Sequence, residues 1–291
     1  MSAIAATAAT AATAEPATDV RPRLAILGAG VMGRTVLTAA LAAGWAPAEV
    51  TATVATEAEA VPVRRDFPVV VGTDNAVAVH GAGIVVISVK PKDVAGVLAA
   101  IRDTLAPGAL VVSVVVGLPT GFYETRLPAG VAVVRVMPNT PAVVGAGVSA
   151  ISPGRAASEE HLALVETLLA ATGLVLRVAE KDQDAVGALS GSGPAYVFYV
   201  VDALAEAGVM LGLTRAVAQE LATATVAGAA RMLQETGEHP VILRERVSSP
   251  GGTTVAALRQ LDAGGVRAAF LAALQAARDR SIALAAQLSS E

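Results

Sequence analysis

Leu24-Ala25-Ile26-Leu27-Gly28-Ala29-Gly30-Val31-Met32-Gly33 decides the fold of this chain. Four consecutive apolar residues suit a strand covered on both faces, and the spacing of Val36, Leu37, Ala40 and Leu41, with Gly44 just beyond, reads as a helix. Strand, glycine turn and helix in that order make a dinucleotide-binding unit. Gly28 forms the tight turn, Gly30 admits a pyrophosphate close to the backbone, and Gly33 lets helix and strand pack. Gly28, Ala29, Gly30, Val31, Met32 and Gly33 are therefore the candidate phosphate cradle, with a purely structural glycine turn as the alternative.

Downstream, short Val/Ile runs alternate with Ala/Leu helical segments. Val50 to Val54, Val69 to Val71, Ile84 to Val89, Leu110 to Val116, Val133 to Val136 and Leu174 to Val178 are nearly uninterrupted apolar strands, which predicts a parallel, doubly wound sheet. After Glu180 the β-branched runs give way to helical periodicity over Ala185 to Leu211, Val217 to Glu235, Thr254 to Asp262 and Val266 to Leu288. The expected fold class is α/β: a Rossmann-type parallel sheet domain over residues 22–180, then an all-helical domain over 181–291. Residues 1–21, mostly Ala and Thr with no basic residue before Arg21, read as a disordered tail and not as a signal or transit peptide, which favours the cytoplasm.

Composition narrows the functions. The 291 residues are 54% hydrophobic and only 16% charged, enough to bury a large core, and a net charge of −4 with scattered basic residues gives no footprint for nucleic acid. No apolar run is long enough to span a bilayer. Cysteine is absent, which removes disulfides, thiolate metal sites and cysteine nucleophiles; the three histidines read as surface residues, and no metal-ligand spacing, paired carboxylates or Ser-His-Asp set occurs.

A second motif lies in the helical half. Ser249-Pro250-Gly251-Gly252-Thr253-Thr254 runs into Val255-Ala256-Ala257-Leu258, which reads as a helix. Adjacent glycines allow close backbone approach, a Thr at the helix start is placed to cap it, and first-turn N–H groups point outward, a pocket suited to a carboxylate. Gly191-Ser192-Gly193-Pro194-Ala195-Tyr196 falls early in the first long helix, where its glycines and proline imply a kink or a close approach by another backbone.

With these segments, Ser88-Val89-Lys90-Pro91 and Arg135-Val136-Met137-Pro138-Asn139-Thr140-Pro141, the chain resembles the pyrroline-5-carboxylate reductase family from about Arg23 to about Leu288. The resemblance implies hydride transfer from a reduced nicotinamide cofactor to Δ1-pyrroline-5-carboxylate, giving L-proline, the last step of proline biosynthesis. It implies an interlocked homodimer through the helical domain, or a ring of such dimers. On the cofactor side it points to Asn75 and to Val89, Lys90 and Pro91; because strand ends in such a sheet gather the ligands, Val115, Gly117 and Asn139 are candidates as well. On the substrate side it points to Glu180; for that chemistry the loop residues Ser249, Gly251, Gly252, Thr253 and Thr254 are the candidates to hold the substrate carboxylate by N–H groups and hydroxyls, with Thr254 the candidate catalytic hydroxyl to bond the ring nitrogen. Several of these have plainer readings. Lys90 is also a solvated strand cap, Asn139 also a turn former, Asn75 also a helix cap, and Glu180 also a linker charge.

The second strand departs from the family. Relatives place basic or serine-rich groups after it to hold the 2′-phosphate of NADPH, whereas Thr53-Val54-Ala55-Thr56 offers only small hydroxyls, with Thr56 the nearest candidate. No carboxylate ends the strand to bind a ribose diol, since Glu57 comes after it. NADPH is expected from the resemblance, with NADH the alternative. Two other functions compete: a β-hydroxyacid-type dehydrogenase, which needs a lysine in the first long helix where none follows Lys181, and a catalytically silent NADPH-binding protein, which the intact 249–254 loop opposes.

Overall fold

A computed structural model describes residues 21–289 of the chain. The N-terminal portion alternates β1 (Leu24–Leu27), α1 (Val31–Ala42), β2 (Val50–Thr53), α2 (Glu57–Asp66), β3 (Val70–Gly72), α3 (Asn75–Val79), β4 (Ile84–Ile87) and α4 (Val94–Ile101). It continues through β5 (Leu110–Ser113), α5 (Thr120–Glu124), β6 (Ala132–Met137), β7 (Gly147–Pro153), α6 (Glu159–Leu169) and β8 (Gly173–Arg177). These strands form one sheet in the order β3-β2-β1-β4-β5-β6-β7-β8.

Burial on both faces explains the unbroken apolar runs. Leu24 and Ile26 belong to one core cluster with Ile84 and Val86 of the neighbouring strand, whereas Ala25 and Leu27 belong to the other with Val85 and Ile87. Each strand therefore supplies alternate residues to opposite cores. At about 1.5–3 kcal/mol per fully buried large aliphatic side chain, this double core is the main source of stability.

The sheet is not wholly parallel. β7 pairs antiparallel with β6, Val136 opposite Ile151, and parallel with β8. Its sequence, Gly147-Val148-Ser149-Ala150-Ile151-Ser152-Pro153, hides a strand because Ser149 and Ser152 are buried among small residues. Ser152 Oγ donates to Val178 O at 2.9 Å and accepts from Gln183 Nε2 at 2.7 Å, so a buried polar network replaces the expected apolar side chains. Two central strands also end earlier than predicted, β4 at Ile87 and β5 at Ser113.

Beyond β8 the structure is helical: α7 (Gln183–Val186), a π-helical turn (Gly187–Gly191), α8 (Gly193–Met210), α9 (Arg215–Thr236), α10 (Pro240–Arg246), α11 (Thr253–Ala263) and α12 (Val266–Ser289). The Gly191 segment is thus not inside a long helix. A π-turn ends at Gly191 and Pro194 occupies the first turn of α8, where its missing N–H costs nothing. What approaches Gly191 is the methyl of Met137 and not another backbone; a Cβ there would overlap Met137 Cε. α10 is a helix unmarked by periodicity; His239 Nδ1 accepts from Val241 N at 3.3 Å and Pro240 follows at N1. His161 likewise completes a capping box with Ser158 on α6.

The helical portion buries little of itself. Its own core is Ala205, Ala218 and Ala222, α10 and α11 bury no residue, and Phe198, Tyr199, Met210, Leu211 and Leu271 are exposed at 65–81%. No described helix is long and apolar enough to cross a membrane. The expected tail falls on residues 1–20, outside the described residues, while Arg21 stacks its guanidinium 4.6 Å from the Trp45 ring centroid.

Candidate active site

The glycine turn is held by its backbone. Gly28 has φ +96°, and a Cβ on it would lie 2.9 Å from Ser88 O. A Cβ on Gly33 would overlap the carbonyl oxygen of Gly28, so only glycine lets α1 approach the turn. Gly30 differs: a Cβ there meets nothing within 4 Å. The protein leaves that space open on the side where a pyrophosphate would approach. Gly30 also begins α1 as its N-cap with no side-chain cap, leaving first-turn N–H groups outward.

A cleft of about 580 Å³ opens over this turn, lined by Gly28, Ala29, Gly30, Val31, Arg34, Val54, Ala55, Glu59, Pro62, Ser88, Val89, Lys90, Lys92 and Asp93. It lies at the carboxyl ends of β1, β2 and β4, the crevice that such sheets use for ligands. Its volume and its open phosphate position fit a dinucleotide.

Thr53, which sequence reading passed over, supports the turn from beneath. Its Oγ1 accepts from Gly28 N at 3.2 Å and donates to Asn75 Oδ1 at 2.7 Å. Asn75 therefore reaches the cofactor region through Thr53, while Asp74 caps α3 by accepting from Ala76 N and Val77 N. The signal available in the sequence was a hydroxyl at the last position of a strand beside the glycine turn. Thr56 caps α2, accepting from Glu59 N at 3.3 Å, and is not among the residues lining the cleft. Gly117, with φ +86°, turns the chain after β5, and Val115 N donates to Ser113 Oγ at 3.2 Å.

Two further candidates are engaged within the chain. Asn139 Nδ2 donates to Ser190 O and Oγ, both at 3.2 Å, and Asn139 Oδ1 accepts from Val148 N at 2.8 Å, so it ties β6 to β7 and to the π-turn. Asn139 also lines a second, apolar cleft of about 510 Å³ with Tyr196, Val197, Phe270 and Leu271. Glu180 accepts from Thr120 N and Thr120 Oγ1, both at 2.6 Å, and lies 3.6 Å from the guanidinium of Arg135, whose side chain is 7% exposed. It anchors the start of the helical portion to α5 and to the buried Arg135.

Burial also acts on Tyr123, whose hydroxyl lies 2.5 Å from Ser113 Oγ beneath α5. Desolvation pushes its pKa up to about 12, against the opposing pull of that hydrogen bond.

The 249–254 loop is built as expected with one correction. Gly251 has φ +71°, Gly252 N donates to Ser249 O at 2.9 Å, and α11 begins behind them. The helix cap is Gly252, not a threonine: no side chain caps it, because Thr253 and Thr254 already lie within the first turn. Among the described residues, the hydroxyls of Ser249, Thr253 and Thr254 make no hydrogen bond within the chain. None of these residues lines the cleft over the glycine turn of the same chain.

The comparisons agree with both halves. The family described as "Pyrroline-5-carboxylate reductase dimerisation" matches residues 180–284, and "NADP oxidoreductase coenzyme F420-dependent" matches residues 23–117. A pyrroline-5-carboxylate reductase of Corynebacterium melassecola is 45% identical over 261 residues, covering 89% of this chain and 97% of the relative. Among solved structures, the pyrroline-5-carboxylate reductase of Coxiella burnetii superposes with a TM-score of 0.84 at 37% identity, covering 89% of this chain and 97% of that one. The Plasmodium falciparum pyrroline carboxylate reductase with NADP bound superposes with a TM-score of 0.81 at 26% identity, covering 91% and 98%. A glycine-turn cleft on a doubly wound sheet, a Gly-Gly loop ahead of α11 and relatives of this identity along nearly their whole length give one result: the chain belongs to the pyrroline-5-carboxylate reductase family.

Proposed function

We propose that this protein reduces Δ1-pyrroline-5-carboxylate to L-proline at the expense of NAD(P)H, the closing step of proline biosynthesis. The observation that carries the reading is 45% identity along 97% of a reductase of that name, with the glycine turn and the 249–254 loop both present. The same identity leaves the β-hydroxyacid-type and catalytically silent readings without support.

Residues Gly28 to Gly33 would hold the pyrophosphate through backbone N–H groups, and Val89, Lys90 and Pro91 at the end of β4 lie along the nicotinamide side. Val115, Gly117, Thr56, Asn75 and Asn139 complete the cofactor surroundings in this reading, Asn75 through Thr53. When bound, NAD(P)H supplies the hydride for the imine carbon. On the substrate side, Ser249, Gly251, Gly252 and Thr253 receive the carboxylate at the outward N–H groups and hydroxyls of the loop. The Thr254 hydroxyl bonds the ring nitrogen and fixes the carbon for transfer. The imine takes its proton from solution and reacts as the iminium, so the protein needs no dedicated acid; Glu180 acts at the substrate side from its anchored position on Thr120.

In this reading residues 22–180 are the dinucleotide domain and 181–291 the dimerisation and substrate domain. The thin alanine core and the exposed apolar faces of α8 and α12 support a homodimer; a ring of dimers as its extension and a cytoplasmic location belong to the same proposal. Pairing also accounts for a loop that stands apart from its own chain's cleft. Steady-state assay with the cyclic imine and each reduced cofactor tests the proposal: proline formation is expected, and no oxidation of either cofactor overturns it.

A further inference from the structure

The end of β2 sets cofactor choice in folds of this kind, because the adenosine ribose lies there: a carboxylate accepts from the free 2′-hydroxyl, whereas a cation receives the 2′-phosphate. In this chain the carboxylate reaches that point from one turn further on. Glu59, in the first turn of α2, folds back so that its Oε2 accepts from Ala55 N at 3.2 Å, two residues past the last residue of β2. Glu59 and Ala55 both line the cleft over the glycine turn, beside Val54 and Gly30.

Three of the surrounding cations, Arg64, Arg65 and Arg34, are engaged within the chain. Arg64 is bound to both carboxylate oxygens of Glu57 and to Val71 O, and it holds the Glu57 carboxyl below its usual range. Arg65 pairs with Asp66, Nε to Oδ1 at 2.8 Å. Arg34, which lines the cleft, donates from Nε to Ala29 O at 3.2 Å and lies 3.5 Å from Asp66 Oδ2. Lys90 and Lys92 line the same cleft from the turn after β4, two strands away from β2 in the sheet. The α2 N-terminus, a natural phosphate position, already carries Glu57 and Glu59, and the Ala55 N–H is taken. A 2′-phosphate dianion arriving there would meet a carboxylate; a ribose diol would meet an acceptor.

We infer that Glu59 is the specificity-determining residue for the cofactor and that this chain prefers NADH to NADPH. The inference rests on the reductase reading only for the reaction, since the preference is a property of the cleft itself. Glu59 also stands at the third position of α2, where a carboxylate reaching back toward the cap has a purely local role. Glu59→Gln separates the two, because it keeps the hydrogen bond and removes the charge. Dissociation constants for NADH, NADPH, 5′-AMP and 2′-phospho-AMP are measured by fluorescence titration and competition, with thermal melting alongside.

Wild type is expected to bind NADH at least about tenfold tighter than NADPH, with 5′-AMP and 2′-phospho-AMP following the same order. Glu59→Gln should narrow the ratio by about tenfold through tighter NADPH binding, and Glu59→Lys should reverse it. Tighter NADPH binding in wild type, or an unchanged ratio in Glu59→Gln whether or not melting shifts, overturns the inference. If neither cofactor supports imine reduction, the reductase reading fails while the binding constants still decide the role of Glu59.

Discussion

Substitutions at two glycines of one turn should have opposite consequences. In Gly30→Val the new side chain enters space where a Cβ meets nothing within 4 Å, and the backbone at φ −71° suits any L-residue. The fold should survive; losing glycine at the N-cap of α1 costs under about 1 kcal/mol, a melting shift of about 2–4 °C. The branched carbons occupy the approach of the pyrophosphate, however, and removing one charge-assisted backbone hydrogen bond of about 1.5–3 kcal/mol raises the cofactor dissociation constant about 10- to 150-fold. In Gly33→Ala the added methyl overlaps the Gly28 carbonyl oxygen, so α1 must move off the strand at a cost of about 1–3 kcal/mol or more. Its melting temperature should fall clearly further than that of Gly30→Val. Titration of nicotinamide fluorescence and differential scanning calorimetry on both variants are the assays. Unchanged cofactor affinity in folded Gly30→Val would refute the placement of the phosphates, and equal destabilisation of the two variants would refute the division of labour among the glycines.

Thr254→Ala should lower the turnover number about 10- to 1,000-fold with cofactor affinity unchanged and Thr254→Ser retaining much of the rate; because Thr254 caps nothing, melting should not fall, and a variant with intact turnover removes the hydroxyl from the mechanism. Glu180→Ala strips the buried Arg135 of its carboxylate and should cost about 2–3 kcal/mol in a denaturant titration; unchanged stability with a raised KM would make Glu180 a substrate ligand and not an anchor. Tyr123, with its pKa pushed from 10 to about 12, holds its proton more tightly in the folded state than in the unfolded one. Its contribution is whole below pH 10 and is lost as pH rises toward 12, so Tyr123→Phe should flatten the alkaline fall in melting temperature; an unchanged slope would count against this assignment. Replacing the exposed Leu271 and Phe198 by Asp should convert a dimer to monomer in multi-angle light scattering, and a monomeric wild type would remove the pairing from the proposal.

The reductase reading and the two-part architecture were legible in the chain because their signals are local. A strand buried on both faces must be apolar throughout, and a turn that brings backbone to phosphate must be glycine, so Leu24 to Gly33 announces itself without its partners. The 249–254 loop is legible for the same reason. β7 was not, because two of its buried positions are serines, and Ser152 finds its partners in Val178 and Gln183, residues distant in sequence. Thr53, Asn139 and Glu180 show the same limit: each is an ordinary polar residue until folding brings Gly28, Ser190 or Arg135 within bonding distance. Nor does periodicity reveal that Glu59 turns back onto Ala55 beside the phosphate turn, since a first-turn glutamate has several directions open to it. Sequence thus determined what depends on backbone conformation and on burial summed over a segment, while tertiary structure decided which partner each polar side chain found. A hydrogen bond depends on distance and direction between two particular atoms, and only the folded chain sets those.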